Sequence, residues 1–170
     1  MASVVTQVLV FSCFFTFSNM VMLKGIPRIL TPDLLRVLAQ MGHGDEIVIA
    51  DANFPSASIA KAGPELIRAD GHGGVEILKA ILQLLPLDMY VSAPASLMDP
   101  VEADKKKGLK TPIWDEYKAA MNASEGQTVG VQLIERFQFY EHAKKTFAVV
   151  ATGETALYAN IILKKGVLTN

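Results

Sequence analysis

The residues that could do chemistry are few. His43 stands between two glycines in Gly42-His43-Gly44-Asp45. An imidazole titrates near neutrality, so it can give and take a proton within one cycle. The flanking glycines leave its ring room beside a ligand and let the backbone turn sharply. An exposed loop histidine or a helix C-cap would look the same. Asp51 follows the apolar run Glu46–Ala50. Its carboxylate could accept hydrogen bonds from ligand hydroxyls or orient His43; the plainer alternative is a turn-forming aspartate. Asp88, after Pro86-Leu87, reads on its own as a turn residue. Tyr140 lies in Glu135-Arg136-Phe137-Gln138-Phe139-Tyr140-Glu141. Aromatic-rich helices usually pack into a core, yet a tyrosine can present its hydroxyl while its ring packs. Tyr158 and Asn160 flank Ala159, and on a strand period two puts both on one face. A ring beside an amide suits a ligand with a C–H face and several hydroxyls, as a sugar has; a polar pair on an edge strand is the alternative.

Other chemistries lack their signatures. The single cysteine, Cys13, permits no internal disulfide and no cysteine-built zinc site. No two histidines have the i, i+4 spacing of metal ligands. His72 sits in a glycine-rich turn and His142 on the polar side of a charged helix, beside Lys144 and Lys145. Gly71-His72-Gly73-Gly74 has no adjoining lysine and serine to make a phosphate loop, and no GxSxG element occurs. The formal net charge of −1 provides no basic excess for a nucleic-acid backbone. Lys105-Lys106-Lys107, between Asp104 and Gly108, reads as a solvated loop.

The elements that must position these residues alternate between helix and buried strand. Thr31-Pro32-Asp33 opens a helix, with a cap, a proline at the first position and an acid at the positive end of the dipole. Leu34, Leu35, Leu38 and Met41 follow at helical spacing, and Gly42 is the expected terminator. Glu46–Ala50 suits a strand buried on both faces of a parallel sheet. Residues 75–85 read as an amphipathic helix closed by Pro86, and Met89-Tyr90-Val91 as a short strand. Residues 93–110 read as a loop. Thr111-Pro112 starts a helix to about Asn122, broken by Ser124-Glu125-Gly126. Residues 131–145 read as one helix with Leu133, Phe137 and Tyr140 on a face. Strands are expected over 147–151 and 158–163, with Gly153-Glu154-Thr155 as the turn between them. The expectation is a three-layer α/β sheet-and-helix fold in a single domain. Ligands in such folds gather beyond the carboxyl ends of the strands, which directs attention to Asp51.

Residues 1–19 form an apolar extension ahead of a domain over 20–170. Val8–Phe17 has the length of a signal-peptide core and is too short to span a bilayer. It lacks a basic n-region, and Phe17-Ser18-Asn19 is a poor cleavage site. An upstream alternative start before Met20 is the favoured reading; secretion follows only if the segment acts as a signal. The expected location is cytoplasmic, and the rest of the chain carries no membrane signal.

Longer motifs carry a resemblance. Met41-Gly42-His43-Gly44-Asp45-Glu46-Ile47-Val48, with Ala50-Asp51-Ala52-Asn53-Phe54-Pro55, looks like the N-terminal signature of the L-fucose mutarotase and D-ribose pyranase family. Ala151-Thr152-Gly153-Glu154-Thr155 and the stretch from Tyr158 to Gly166 look like its C-terminal one. Ile67-Arg68-Ala69-Asp70-Gly71 and Glu135–Tyr140 match between them. The resemblance covers nearly all of residues 20–166. It implies an α/β sheet assembled into homo-oligomeric rings with sites at subunit boundaries, and exchange of sugar anomers without metal or cofactor. His43 and Tyr140 would be catalytic, and Asp51, Asp88, Tyr158, Asn160 and Arg136 would bind the monosaccharide. The expected substrate is L-fucose. Ring exchange of D-ribose and sugar binding without catalysis are the alternatives. Ala159, where glycine is common in the fucose branch, and His142, where arginine is usual, bear on substrate preference. The extension at 1–19 has no counterpart in the family.

Overall fold

The computed structural model describes residues 23–168. The N-terminal extension therefore lies outside the described residues. Six strands form one sheet: β1 (Glu46–Ala50), β2 (Glu65–Ala69), β3 (Ala95–Asp99), β4 (Val131–Glu135), β5 (Ala148–Thr152) and β6 (Ile161–Lys164), in the order β2-β5-β1-β6-β3-β4. β1 and β2 run parallel to β5, and β3 runs parallel to β4. β6 is antiparallel to both β1 and β3. The sheet is thus mixed rather than all parallel. Five strands end on the same side, and β6 begins there.

Side chains alternate across each strand, so an apolar run feeds two cores. Ile47 and Ile49 face one of them, with Val150, Ile161 and Leu163. That core is closed by α1 (Pro32–Gln40), α3 (Gly74–Ile81) and α5 (Ile113–Glu125), through Leu34, Ile77 and Tyr117 among others. Val48 and Ala50 face the second core, with Val149 and Ile162. There α2 (Ser56–Ala60) and α6 (Arg136–Ala143) supply Ile59, Phe139 and Ala143. Helices cover both faces, which gives the three expected layers.

The capping at Thr31 is as expected: its hydroxyl accepts from the Leu34 N–H at 3.2 Å. Gly42 does not end α1. Met41 caps it in extended backbone, and Gly44, with φ 86°, makes the turn into β1. Gly126 ends α5 in the left-handed conformation, as the breaker at 124–126 suggests.

Three elements differ from expectation. The stretch over 131–145 is not one helix, because Val131–Glu135 pairs with β3 as an edge strand. The helix begins at Arg136, where the Glu135 carboxylate caps the N–H groups of Phe137 and Gln138. Met89-Tyr90-Val91 is a turn, organised by Asp88: its side chain accepts from the Tyr90 N–H and its carbonyl from the Val91 N–H. Residues 93–110 contain β3 and a short helix, α4 (Glu102–Lys106), and are not a loop. α2 and β2 went unread in the sequence.

Gly166 sets the approach of the segment that carries Asp88. Its N–H donates to the Pro86 carbonyl at 2.8 Å, and a Cβ there would lie 2.4 Å from the Leu87 carbonyl oxygen and 2.9 Å from the Asp88 Cα. Those are backbone atoms and cannot rotate away. Gly166→Ala should lower unfolding free energy by about 1–3 kcal/mol, the usual cost of overpacking, read as a shifted urea midpoint with an unchanged slope. An unmoved midpoint would show that the 86–88 segment yields freely.

Candidate functional site

β1 ends at Ala50, and the next residue turns its carboxylate inward. Asp51 is buried. Its N–H donates to the Asn160 Oδ1 at 2.9 Å, and the Asn160 Nδ2 donates back to Asp51 Oδ2 at 2.7 Å. The Asn53 N–H supplies the other carboxylate oxygen at 2.9 Å. Burial pushes the Asp51 carboxyl above the usual carboxylate range, against the pull of its bonds from Asn53 and Asn160.

This pair forms the floor of a cleft of about 360 Å³ that also receives Arg136, Tyr140, Tyr158 and Asp104. The volume suits a small ligand. Each wall comes from the side where five strands end. Arg136 opens α6 directly after β4, and its Nε is buried without a hydrogen-bond partner among the described residues. Tyr140 sits one turn further on, its ring held edge-on by Phe54 at 5.5 Å and Phe137 at 6.2 Å.

Tyr158 reaches the cleft by a route the sequence did not suggest. It is not on a strand. It takes φ 57° in the turn before β6, a left-handed conformation that costs a non-glycine residue on the order of 1–3 kcal/mol unless its surroundings hold it. The surroundings do so. The Trp114 indole N–H donates to the Tyr158 carbonyl at 2.8 Å, and the Tyr117 hydroxyl donates to the next carbonyl, of Ala159, at 2.9 Å. The Tyr158 hydroxyl donates to Asp104 at 2.7 Å. Burial, then the Asp104 carboxylate, raises the phenol above its ordinary value. Tyr158 and Asn160 therefore share the cleft, but through this turn and not through strand periodicity.

His43 and Asp88 lie elsewhere. The His43 Nε2 is 3.3 Å from the Asp88 Oδ2, and its ring meets Tyr90 edge-on at 6.2 Å. The histidine is half exposed while the carboxylate is buried. Asp88, not Asp51, is the partner of His43. The Asp88 N–H donates to the Lys164 carbonyl, opposite the start of β1. Asp51 follows the end of β1, and its five residues at about 3.3 Å each put the two clusters roughly 17 Å apart along the strand. The seven candidates thus divide into five in the cleft and two at the far end of the sheet.

Asp104, which in the sequence only flanks a lysine run, belongs to the cleft. The acids Glu102 and Asp104 in the first turn of α4 were a legible helix signal. Nothing in the sequence pairs Asp104 with Tyr158. Ala159 and His142 do not line the cleft. Ala159 is buried in the first core, and His142 lies 2.5 Å from Glu46, which also holds Lys164 at 2.9 Å.

Fold and cleft together define a class: a three-layer α/β protein with a small cleft, lined by a buried carboxylate–amide pair, a guanidinium and two tyrosines, on the side where five strands end. Residues 24–168 match the RbsD / FucU transport protein family, and the chain belongs to that family. It is 59% identical to the human fucose mutarotase over 149 residues, which cover 88% of this chain and 96% of that one. It superposes on FucU from Bifidobacterium longum with a TM-score of 0.81 and 52% identity, over 86% of this chain and all of that one. A fucose mutarotase from Streptococcus pneumoniae, solved in complex with L-fucose, gives a TM-score of 0.79 and 48% identity over the same shares.

The raised Asp51 carboxyl has a consequence for stability. Between the ordinary aspartate value and its own midpoint, the folded chain keeps a proton that the unfolded chain has released. Over that window this group makes stability fall as pH rises. A carboxyl-carbon NMR titration should put the Asp51 midpoint above ~3.9, the unperturbed value. A midpoint at or below it would mean the hydrogen bonds outweigh burial.

Proposed function

We propose that the protein is a fucose mutarotase, exchanging the α and β anomers of L-fucose by opening and reclosing the ring. The observation that carries this is the cleft: a buried carboxylate–amide pair, a guanidinium with an unspent donor and two tyrosines, on the fold of a 48%-identical relative solved with L-fucose. Exchange needs a base at the anomeric hydroxyl and an acid at the ring oxygen, with the roles reversed on closure. Asp51 and Asn160, locked by their reciprocal bonds, supply fixed acceptors and donors to sugar hydroxyls. Arg136 donates from the wall, and Tyr158 offers its ring. Tyr140 lines the same cleft, and its hydroxyl is assigned the proton relay.

His43 is the natural second proton carrier, yet one sugar cannot touch it and the cleft in the same chain. We therefore assign the complete site to two copies, one bringing its His43–Asp88 pair to the cleft of the next. Exposed apolar side chains at both ends support such a head-to-tail contact: Tyr90, Val91 and Leu168 beyond His43, and Phe137 and Leu157 beside the cleft. A heterologous contact of this kind closes into rings when the rotation between copies allows.

Saturation-transfer NMR on fucose anomers should show exchange faster than buffer at neutral pH. His43→Gln and Tyr140→Phe should each lower it by about 10²-fold or more, the scale of general acid–base catalysis, with the fold intact. Mixing the two variants under conditions that let subunits reassemble should restore part of the activity, since some sites then carry both intact groups. Exchange no faster than buffer in the wild type would refute the function. No recovery on mixing would refute the two-copy site. Fucose binding by calorimetry without exchange would instead mark a sugar-binding protein, and ribose turnover without fucose turnover a pyranase.

A further inference from the structure

We propose that Asp104 is a positioning residue: it holds the Tyr158 phenol so that the ring forms a fixed wall against the sugar. The inference rests on the reading of the cleft as the fucose site. A phenol has one proton to donate. At Tyr158 that proton goes to the Asp104 Oδ2 at 2.7 Å, and the oxygen also accepts the Val101 N–H at 3.3 Å. The hydroxyl is thereby committed to α4 and the residue before it. Toward the cleft Tyr158 has no proton to give, so it is not the acid of the reaction. What remains for the ligand is the ring face, which suits the C–H face of a pyranose.

The ring needs that tether. Tyr158 sits in a left-handed turn fixed by Trp114 at its carbonyl, and without Asp104 its far end would be held only by the weaker Val101 contact. α4 can bear the load because it is tied down itself: Lys105 bridges from α4 to Asp99, at the end of β3, at 2.5 Å and to Glu102 at 3.1 Å. Asp104 is only partly covered, and α4 has no fully buried residue, so truncating the side chain opens no core cavity.

The rival role is direct contact with the sugar, since Asp104 also lines the cleft. A double-mutant cycle separates the two. Asp104→Ala and Tyr158→Phe should each raise the KM for fucose about tenfold, as loss of a charge-assisted hydrogen bond would, with kcat within about twofold. If Asp104 acts through Tyr158, the double variant should be within about twofold of the worse single one. Asp104→Asn keeps a carbonyl that can accept the phenol proton, and should recover most of the lost KM. It is also the variant to read should Asp104→Ala fold poorly by circular dichroism: a KM then raised as far as in Tyr158→Phe overturns the inference. Effects that multiply in the double variant, or a KM unmoved by Asp104→Ala, also overturn it while leaving the proposed function standing. A wild type that neither exchanges nor binds fucose removes both.

Discussion

Asp51 and Asn160 exchange two hydrogen bonds at the point where β1 ends and the antiparallel β6 begins. The cleft depends on this contact. Its two partners are 109 residues apart in the chain, so it closes the longest loop the site contains. The carboxylate is buried, and an ionised carboxylate in that position is tolerable only while its oxygens are filled. Removing Asn160 would take away one donor to the carboxylate and the acceptor of the Asp51 N–H together. The pair therefore ties the geometry of the site to the stability of the sheet, and neither residue can change alone without cost to the other.

The antiparallel strand explains why the site can be so compact. In an all-parallel sheet each strand would deliver one residue at its carboxyl end, followed by a crossover. Here β6 enters from the site side, so the turn before it carries Tyr158 and Asn160 directly to the residues that follow β1 and β4. The turn is costly in backbone terms and is held from outside by α5, through Trp114 and Tyr117. Gly74 shows how close that packing is: a Cβ there would come within 2.1 Å of the Tyr117 hydroxyl. Helix α3 can pass Tyr117 only because it begins with a residue that has no side chain.

The three layers were legible because buried strands such as Glu46–Ala50 and Ala148–Thr152 are nearly continuous apolar runs bounded by turn residues. Edge strand β4 was not. Val131–Glu135 is half exposed, carries Gln132 and Glu135, and leads without a break into α6, so its pattern merges with the helix. β3 was hidden for another reason: Ala95-Ser96-Leu97-Met98-Asp99 is broken by the polar Ser96 and Asp99 and lies between prolines at 94 and 100. All five cleft residues among the candidates were named from the sequence. Their grouping apart from His43 was not, because spacing along a chain says nothing of which end of a strand a residue occupies until the strand is placed.

That separation is the most informative feature of the molecule. His43 is half exposed, with a buried carboxylate behind it and an exposed tyrosine beside it. Among the described residues it is not one of those that line the cleft. The cleft, conversely, has acceptors, donors and ring faces, but among its lining residues only Asp51, Asp104, Arg136 and the two tyrosines titrate. An arginine guanidinium offers hydrogen-bond donors and no acceptor. Asp104 and Tyr158 are engaged with each other, and Asp51 is enclosed by donors. Tyr140 alone is left to move a proton, and ring opening needs two groups acting on different oxygens. In the proposed two-copy site, the imidazole of a neighbouring copy would complete the set. A rigid sheet can present such a group to a neighbouring copy at one end while receiving the same group at the other, and rigidity along β1 would keep both placements in register.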